Sequence, residues 1–327
     1  MLFASRYSHF VRYLLRVICA AYVIRFALQP DNNRMNMIQF ADDRTKQQVW
    51  DMWKTVFGDP DDYMEIYFRH KYRNENTLLY IEEGKAVSSL QLLSYQFTFC
   101  GTEIPVIYLS GVCTLPEARR KGYTSQLLLR SFEEARKRGV SLMLLVPQQE
   151  WLLQFYGKYG FVQSFDEGTA ALPSLKKLTD TFPGDLHAAY RTFDSRFRQK
   201  DMTVQKTFDD FRAMVEEAAL FDFPHKKNLK GMARVIDAER LCTLFAGRYA
   251  RTSCSVVVGD ELLHENNAAF TVSGGKADKN SSLIHPVINA DIRELGRLLL
   301  GYRTSELEEP LRTLFPEKQP GMHFMLE

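Results

Sequence analysis

The stretch "GVCTLPEARRKGYTSQLLLRSFEEARKRG", residues 111–139, runs from a β-rich segment through three basic residues and a glycine into a helical pattern. A helix start presents unpaired N–H groups and a positive dipole to the residues before it. Gly122 removes a side chain at that point, while Arg119, Arg120 and Lys121 add positive charge. A junction of this kind binds phosphate groups readily. The three basic residues alone, however, fit a solvated surface loop better, because short motifs match by chance.

The segments around this junction predict a mixed sheet. Residues 77–114 form four β-rich runs, broken at the turn-like "EEGK" and "CGTEIP", which indicates an antiparallel meander. The helix after the junction ends at Gly139, and the apolar strand "VSLMLLVP" follows it. A strand, helix and strand in this order predict a crossover and a parallel pair. The fold class is therefore α/β (α+β), with a mostly antiparallel sheet.

Length and composition limit the classes of function. The chain has 327 residues, of which 45% are hydrophobic, so it can form two packed domains. Its net charge of +2 gives no reason to expect a nucleic-acid partner. The cysteines are scattered, odd in number and free of CxxC pairs, which argues against disulfides and structural zinc and favours a reducing cytoplasm. They are Cys19, Cys100, Cys113, Cys242 and Cys254.

Residues 1–36 differ from the rest of the chain. Arginines such as Arg16 and Arg25 interrupt their apolar run, which makes a membrane span or a cleaved signal peptide a poor interpretation. We expect an upstream extension of a protein that starts at Met35 or Met37; an Arg-rich amphipathic presequence is the alternative. Residues 1–36 are therefore left out of the fold prediction.

The chain changes character after residue 165. Residues 166–231 are predicted to be a polar, helical linker region that ends in the linker "FPHKKNLKG". Residues 232–327 are predicted to be a second α+β unit, whose helix in "INADIRELGRLLLGY" is capped by Asn289 or Asp291.

Residues 37–165 resemble the GCN5-related N-acetyltransferase (GNAT) family. The resemblance rests on the strand "YLSGVCT", the loop "LPEARRKG", the following helix and strand, and the aromatic "FYGKYGF". In this family the pattern R/Q-x-x-G-x-G/A binds the pyrophosphate of acetyl-CoA. Residues 119–124 match it up to Thr124, where the family usually has Gly or Ala. The resemblance implies a cofactor loop of Arg119, Arg120, Lys121, Gly122, Tyr123, Thr124 and Ser125.

The same resemblance assigns roles around the thioester. The strand before the loop would pair with the pantetheine arm, the N–H of Cys113 would face the thioester carbonyl, and Val112 and Thr114 would flank it. Cys113 is interpreted as a wall residue and not as a nucleophile, because no histidine lies near it in sequence and the family transfers the acetyl group directly. Tyr156 occupies the position of the general-acid tyrosine of many family members; a structural tyrosine in an aromatic cluster is the alternative.

The sequence leaves the base and the acceptor open. A protonated amine must lose a proton before it attacks, yet none of the seven histidines has a catalytic or metal-ligand spacing, and no metal is expected. The acids of "GDPDDYMEIYF" could line the entry of a cationic substrate, or could be an ordinary acidic helix N-terminus. These acids are Asp59, Asp61, Asp62 and Glu65.

The C-terminal unit resembles the sterol-carrier-protein-like domain of the enhanced-intracellular-survival group of acetyltransferases. Those relatives have a degenerate second GNAT domain, for which residues 166–230 are too few, so a reduced middle domain is expected and a homo-oligomer stays open. In that group the terminal carboxylate returns to the active site as the base. The resemblance therefore implies this role for Glu327, with Phe324, Met325 and Leu326 as an apolar anchor; a packed tail without chemistry explains these residues equally well.

Two functions follow from these observations. The first is transfer of the acetyl group of acetyl-CoA to a primary amine of a small molecule or peptide. The second is a catalytically weak module that binds CoA or an apolar ligand. The intact basic loop and Tyr156 favour the first, while Thr124 and the short middle region favour the second.

Overall fold

The computed structural model describes residues 37–326. The extension predicted for residues 1–36 and the terminal residue Glu327 lie outside the described residues. Within residues 37–326, no helix has both the length and the apolar character that a membrane crossing requires.

An eight-stranded mixed sheet forms the first part of the fold. Its order is β1-β2-β3-β4-β5-β8-β6, with β7 paired to β3. All neighbours are antiparallel except β4 and β5, which are parallel as the crossover predicts. The predicted fold class is confirmed. The strands are β1 (Met37–Phe40), β2 (Thr77–Glu82), β3 (Lys85–Phe99), β4 (Thr102–Thr114), β5 (Leu142–Leu145), β6 (Val162–Phe165), β7 (Thr203–Gln205) and β8 (Gly231–Val235).

Two hydrophobic cores cover the two faces of this sheet. Alternate residues of β4 point to opposite faces, so Ile107 and Leu109 join one core while Tyr108 joins the other. The helix that follows the basic loop packs Leu127 and Phe132 into the first of these cores. The helices of this part are α1 (Lys46–Phe57), α2 (Asp61–His70), α3 (Tyr123–Lys137), α4 (Trp151–Gly157), α5 (Leu175–Thr181), α6 (Leu186–Phe197) and α7 (Phe208–Leu220).

Two details of the predicted secondary structure were wrong. Residues 77–114 form three strands and not four, because β3 continues unbroken for 15 residues. The helical region after residue 185 is interrupted by β7, whose three residues add to the end of β3. Thr203, Val204 and Gln205 are all buried there, so tertiary pairing overrides the helical pattern.

The second unit contains a four-stranded sheet of order β11-β10-β9-β12. Asp291 caps the last long helix by accepting hydrogen bonds from the N–H groups of Arg293 and Glu294, which confirms one of the two predicted caps. The elements are β9 (Cys254–Gly259), β10 (Ala268–Ser273), β11 (Lys276–Lys279), β12 (Val287–Asp291), α8 (Ala238–Arg248), α9 (Ile292–Leu299) and α10 (Leu311–Leu314).

Strand β8 changes the expected division of the chain. The predicted boundary between residues 231 and 232 cuts through β8, which lies in the first sheet between β5 and β6. Arg234 of β8 is fully buried and donates two hydrogen bonds of 2.8 Å to Asp260, just beyond β9. The first sheet therefore includes a strand from beyond the middle region, and a buried ion pair connects it to the second unit.

The described end of the chain packs against the middle region. Gly321 bridges Thr203, and the N–H of Leu229 donates to the carbonyl of Met322 at 2.8 Å. Phe324, Met325 and Leu326 are buried, as the predicted anchor requires.

Candidate active site

The parallel pair β4 and β5 opens into a fork. The two strands pair from Val106 with Leu142 to Leu109 with Leu145, and β4 then runs on to Thr114 without a β5 partner. The β5-facing edge of residues 110–114 therefore has no strand partner, and an extended ligand can pair with it.

Gly111 is the residue at which β4 turns away. Its φ of +57° lies in the left-handed region, and a Cβ at this position would lie 2.5 Å from Cζ3 of Trp53. The register between β3 and β4 shifts at the same place, between Ser89 and Gln91. Glycine is therefore required here both for the backbone conformation and for the close packing of Trp53.

A cavity of about 650 Å³ fills the mouth of the fork. Its size is that of ordinary cofactor sites. The structure brings together nearly all of the residues that the resemblance assigned to acetyl-CoA. Those that line the cavity are Val112, Cys113, Thr114, Arg119, Arg120, Gly122, Tyr123, Thr124 and Ser125, with Tyr156 on the opposite side.

The basic loop lies directly before helix α3. Gly122 is the N-terminal cap of this helix with a φ of +81°, and Arg120 has a φ of +66°. The first turn of α3 contains no acidic residue. Arg119 and Arg120 are exposed and line the cavity, so positive side chains and helix N–H groups meet at one place.

Lys121 is the one loop residue that the cavity does not include. Its ammonium lies 3.1 Å from both carboxylate oxygens of Glu82, and the hydroxyl of Tyr123 donates to the same carboxylate. The hydrogen bond from Tyr123 and the charge of Lys121 lower the pKa of Glu82. Lys121 therefore lies beside the end of β2 and does not line the cavity, to which the resemblance assigned it.

Thr124 fits into the loop through its hydroxyl. Its Oγ1 lies 2.8 Å from Oγ1 of Thr114, which in turn lies 2.7 Å from Oγ of Ser88. This chain of hydroxyls connects the start of α3 to the ends of β4 and β3. The departure from Gly or Ala therefore has a structural role between the helix and the sheet.

Tyr156 lies in helix α4 and is 6% exposed. Its ring packs against Phe155 and Phe161, with centroids 5.2 and 5.8 Å away. Burial, and the nearby thiol of Cys113, raise the pKa of its hydroxyl above the ordinary value. The phenol is therefore protonated at neutral pH, which is the form that a proton donor needs.

Cys113 has the environment of a wall residue. Its thiol is buried and lies 3.2 Å from Oγ of Ser89. Burial raises the pKa of the thiol to about 11, so the thiolate that a nucleophile requires is scarce at neutral pH.

A second, smaller cavity of about 100 Å³ continues the fork toward helix α1. Trp53, Tyr108, Ser110 and Gln148 line it together with Tyr156. Sequence reasoning did not select the first four of these residues. Nothing in their spacing in the sequence shows that helix α1 closes the fork.

Asp59 is the one carboxylate among residues 37–326 that lines either of these two cavities. The indole N–H of Trp53 donates to its Oδ2 at 2.6 Å, which orients the side chain. Asp61 and Asp62 lie in the first turn of α2, the ordinary use of such acids, and Glu65 is exposed on that helix. Only one acid of the predicted cluster thus reaches the site.

The two cavities combine four chemical features among the described residues. These are the phenol of Tyr156, the carboxylate of Asp59, the cations of Arg119 and Arg120, and the unpaired edge of β4. Such a set can bind a phosphorylated carrier and protonate its leaving group beside a cationic partner. Nowhere in the described part of the chain do three or more His, Cys, Asp or Glu side chains form a group that could hold a metal ion.

Family models match a part of each unit. Residues 37–163 match the family model of the acetyltransferase (GNAT) domain, and residues 241–309 match that of the sterol carrier protein domain. A search of curated proteins finds no match. Both resemblances inferred from the sequence are thereby confirmed.

Solved structures show the same fold over most of the chain. A GCN5-related N-acetyltransferase from Anabaena variabilis is 14% identical, with a TM-score of 0.61 over 87% of this chain and 98% of that one. Eis1 from Mycobacterium abscessus is 15% identical, with a TM-score of 0.56 over 89% and 100% of the two chains. A probable N-acyltransferase from Enterococcus faecalis is 15% identical, with a TM-score of 0.55 over 83% and 91%.

Proposed function

We propose that this chain, whose residues 37–163 form a GNAT acetyltransferase domain, transfers the acetyl group of acetyl-CoA directly to a primary amine. The observation that carries the proposal is the fork, because one cavity brings the free edge of β4, the basic loop and the buried Tyr156 together. The four described cysteines are buried and free, which supports a reducing, cytoplasmic location.

The residues of the fork suit the parts of acetyl-CoA. Arg119, Arg120 and the N-terminus of α3 would bind the pyrophosphate, as charge-assisted hydrogen bonds to phosphate do in general. The backbone of residues 112–114 would pair with the amide groups of the pantetheine arm as an added strand. These contacts would deliver the thioester to the junction of the two cavities, beside Tyr156.

The reaction needs three groups around the thioester. The amine nitrogen forms a bond to the acetyl carbon, the carbon–sulfur bond breaks, and the thiolate takes a proton. Tyr156 supplies that proton, while the N–H of Cys113 stabilises the developing oxyanion. The proton lost by the amine goes to a base.

The binding of acetyl-CoA should depend on Arg120 and not on Lys121. We expect Arg120→Gln to raise the Kd of acetyl-CoA about tenfold, the effect of losing one charge-assisted hydrogen bond. Lys121→Gln removes the same charge from a side chain already paired with Glu82, so we expect a change of less than about twofold. Calorimetric titration measures both. A larger effect at Lys121 would contradict this assignment of the loop.

The acceptor is proposed to be a cationic amine, because Asp59 is the carboxylate of the smaller cavity. Asp59→Asn should lower kcat/KM for a polyamine about 10-fold to 100-fold, mainly through KM, and leave the Kd of acetyl-CoA unchanged. Asp62→Asn is the matched control, since Asp62 accepts from the N–H of Tyr63 and does not line either cavity. Equal losses in both variants would rule out a local role for Asp59.

The base is proposed to be the terminal carboxylate of Glu327. Support comes from the contacts of the last described residues. Sδ of Met325 lies 3.1 Å from Nζ of the buried Lys206. The same Nζ lies 5.1 Å from the ring centroid of Tyr95. Tyr95 in turn contacts Tyr108 of the smaller cavity. Removal of Glu327 should lower kcat about 10²-fold or more without changing the Kd of acetyl-CoA. An unchanged rate would leave the tail a packing element only.

A turnover assay decides between this enzyme and a module that only binds CoA. Release of free CoA is measured with aminoglycosides, polyamines and lysine peptides as acceptors. The enzyme should turn over at least one class of amine. Acetyl-CoA binding without turnover for any amine would instead favour the binding module.

A further inference from the structure

We propose that a third cavity, between the middle region and the C-terminal unit, binds a small organic anion that carries an apolar body. This cavity has a volume of about 890 Å³ and shares no lining residue with the fork. Its walls come from residues 166–173, from the end of helix α6 and from residues 302–323. A volume of this size is typical of sites for small organic ligands.

His323 places a buried nitrogen at this cavity. The residue is 2% exposed, and its Nε2 has no hydrogen-bond partner among the described residues. The imidazole stacks on Phe197, with the ring centroids 3.9 Å apart, so it cannot turn away without losing that contact. A buried nitrogen without a partner is costly, and a ligand oxygen would satisfy it.

Positive charge without a counter-ion lies beside this imidazole. Nζ of Lys200 lies 5.0 Å from the ring centroid of Phe197. Burial lowers the pKa of His323, and the charges of Lys206 and Lys200 add to this effect. Arg196, one turn earlier, lines the same cavity. Neither Arg196 nor Lys200 forms an ion pair with an acid among residues 37–326.

The acids of the cavity wall, by contrast, already have partners. Asp166 accepts from Arg303 and from the hydroxyl of Tyr302, and Glu317 accepts from the N–H of Ser305. The remaining acids pair with basic residues, Glu167 with Lys227 at 3.5 Å and Glu306 with Arg297 at 3.7 Å. Arg196 and Lys200 are thus two charges without an ion-pair partner, against the one carboxylate of Glu317, whose partner is a neutral N–H. The charge left over in the described wall is therefore positive, which favours a carboxylate or phosphate group.

Other residues that line the cavity explain the apolar body. Residues 170–173, with the sequence Ala-Ala-Leu-Pro, line the cavity together with Pro320 and the ring of Phe197. An anion bound between Lys200 and His323 would place the rest of its structure against these side chains.

The probes are benzoate, phenyl phosphate, inorganic phosphate and neutral benzamide, titrated into the full chain. Imidazole nitrogen NMR follows His323, whose signal is assigned by its loss in His323→Phe. Benzoate or phenyl phosphate should shift this signal, and benzamide and inorganic phosphate should each bind about tenfold more weakly, because each lacks one of the two recognised features. The stronger of the two aryl anions identifies the charged group.

Two variants and one control complete the test. His323→Phe keeps a ring on Phe197 but removes the nitrogen, and Lys200→Gln changes an exposed side chain that should not affect folding. Each should raise the Kd of the aryl anion about fivefold to tenfold. Lys276→Gln, an exposed lysine of β11 without an ion pair, should leave it unchanged. Equal binding of benzoate and benzamide, no shift of His323, or an equal effect of Lys276→Gln would each overturn the proposal.

Discussion

Replacing Tyr156 by phenylalanine should lower kcat about 10²-fold to 10⁴-fold, the contribution that a positioned proton donor makes to a transfer reaction. The ring packing on Phe155 and Phe161 needs no hydroxyl, so the fold and the Kd of acetyl-CoA should be retained. Free CoA release and calorimetric titration measure the two quantities separately. Unchanged turnover would make Tyr156 a structural tyrosine of the aromatic cluster.

The matched control for this variant is Tyr72→Phe. Tyr72 is also buried, and its hydroxyl donates to Asn74 on a part of the chain that lines neither cavity of the fork. Its loss should leave kcat within about twofold, because a single neutral hydrogen bond affects stability and not the reacting atoms. A comparable loss of kcat in both variants would point to a general effect of removing buried hydroxyls.

The pH dependence of turnover gives a second test of the donor. The acid form of Tyr156 is the active one, and burial raises its pKa above the ordinary value near 10. Activity that depends on this proton is therefore present at neutral pH and is lost only as the pH rises above that value. A fall of kcat on the alkaline side below about pH 9 would assign the limiting acid to another group.

The local parts of the candidate site could be predicted from the sequence. The basic loop, Gly122 and the helix after it form one continuous stretch, so their spacing alone fixes how they meet. Tyr156 was proposed from the resemblance, and it lines the same cavity. Lys121 was misplaced, since its partner Glu82 lies 39 residues away and no pattern connects the two.

The parts that the sequence could not predict depend on long-range pairing. Strand β8 joins the first sheet across a middle region that contains three helices, and a strand of five residues carries no mark of its partner. In the sequence, the four acids after α1 are equivalent candidates for the substrate entry. Only the tertiary contact with Trp53 shows that Asp59 is the one that lines the cavity. No pattern in the sequence marks Asp260 as the residue that neutralises a buried arginine.

Replacing Asp260 by asparagine should destabilise the protein by about 3–5 kcal/mol, because it leaves the guanidinium of Arg234 buried without a counter-charge. Arg234 is fully buried, and Asp260 is its partner through two hydrogen bonds of 2.8 Å. The pair connects β8 of the GNAT sheet to the second unit, so both units should lose stability together. Denaturant unfolding measures the change in the free energy of unfolding.

The double variant Arg234→Met with Asp260→Asn separates charge from packing. Oδ1 of Asp260 accepts hydrogen bonds from the N–H groups of Leu262 and Leu263, and asparagine keeps this acceptor. Methionine removes the charge that needs a partner. The side chain of residue 234 has room because residue 160 is a glycine. A Cβ on Gly160 would lie 2.7 Å from Nε of Arg234. We expect the double variant to regain most of the stability lost in Asp260→Asn. A double variant as unstable as the single one would show that the hydrogen bonds of Asp260, and not the neutralised charge, hold the two units together.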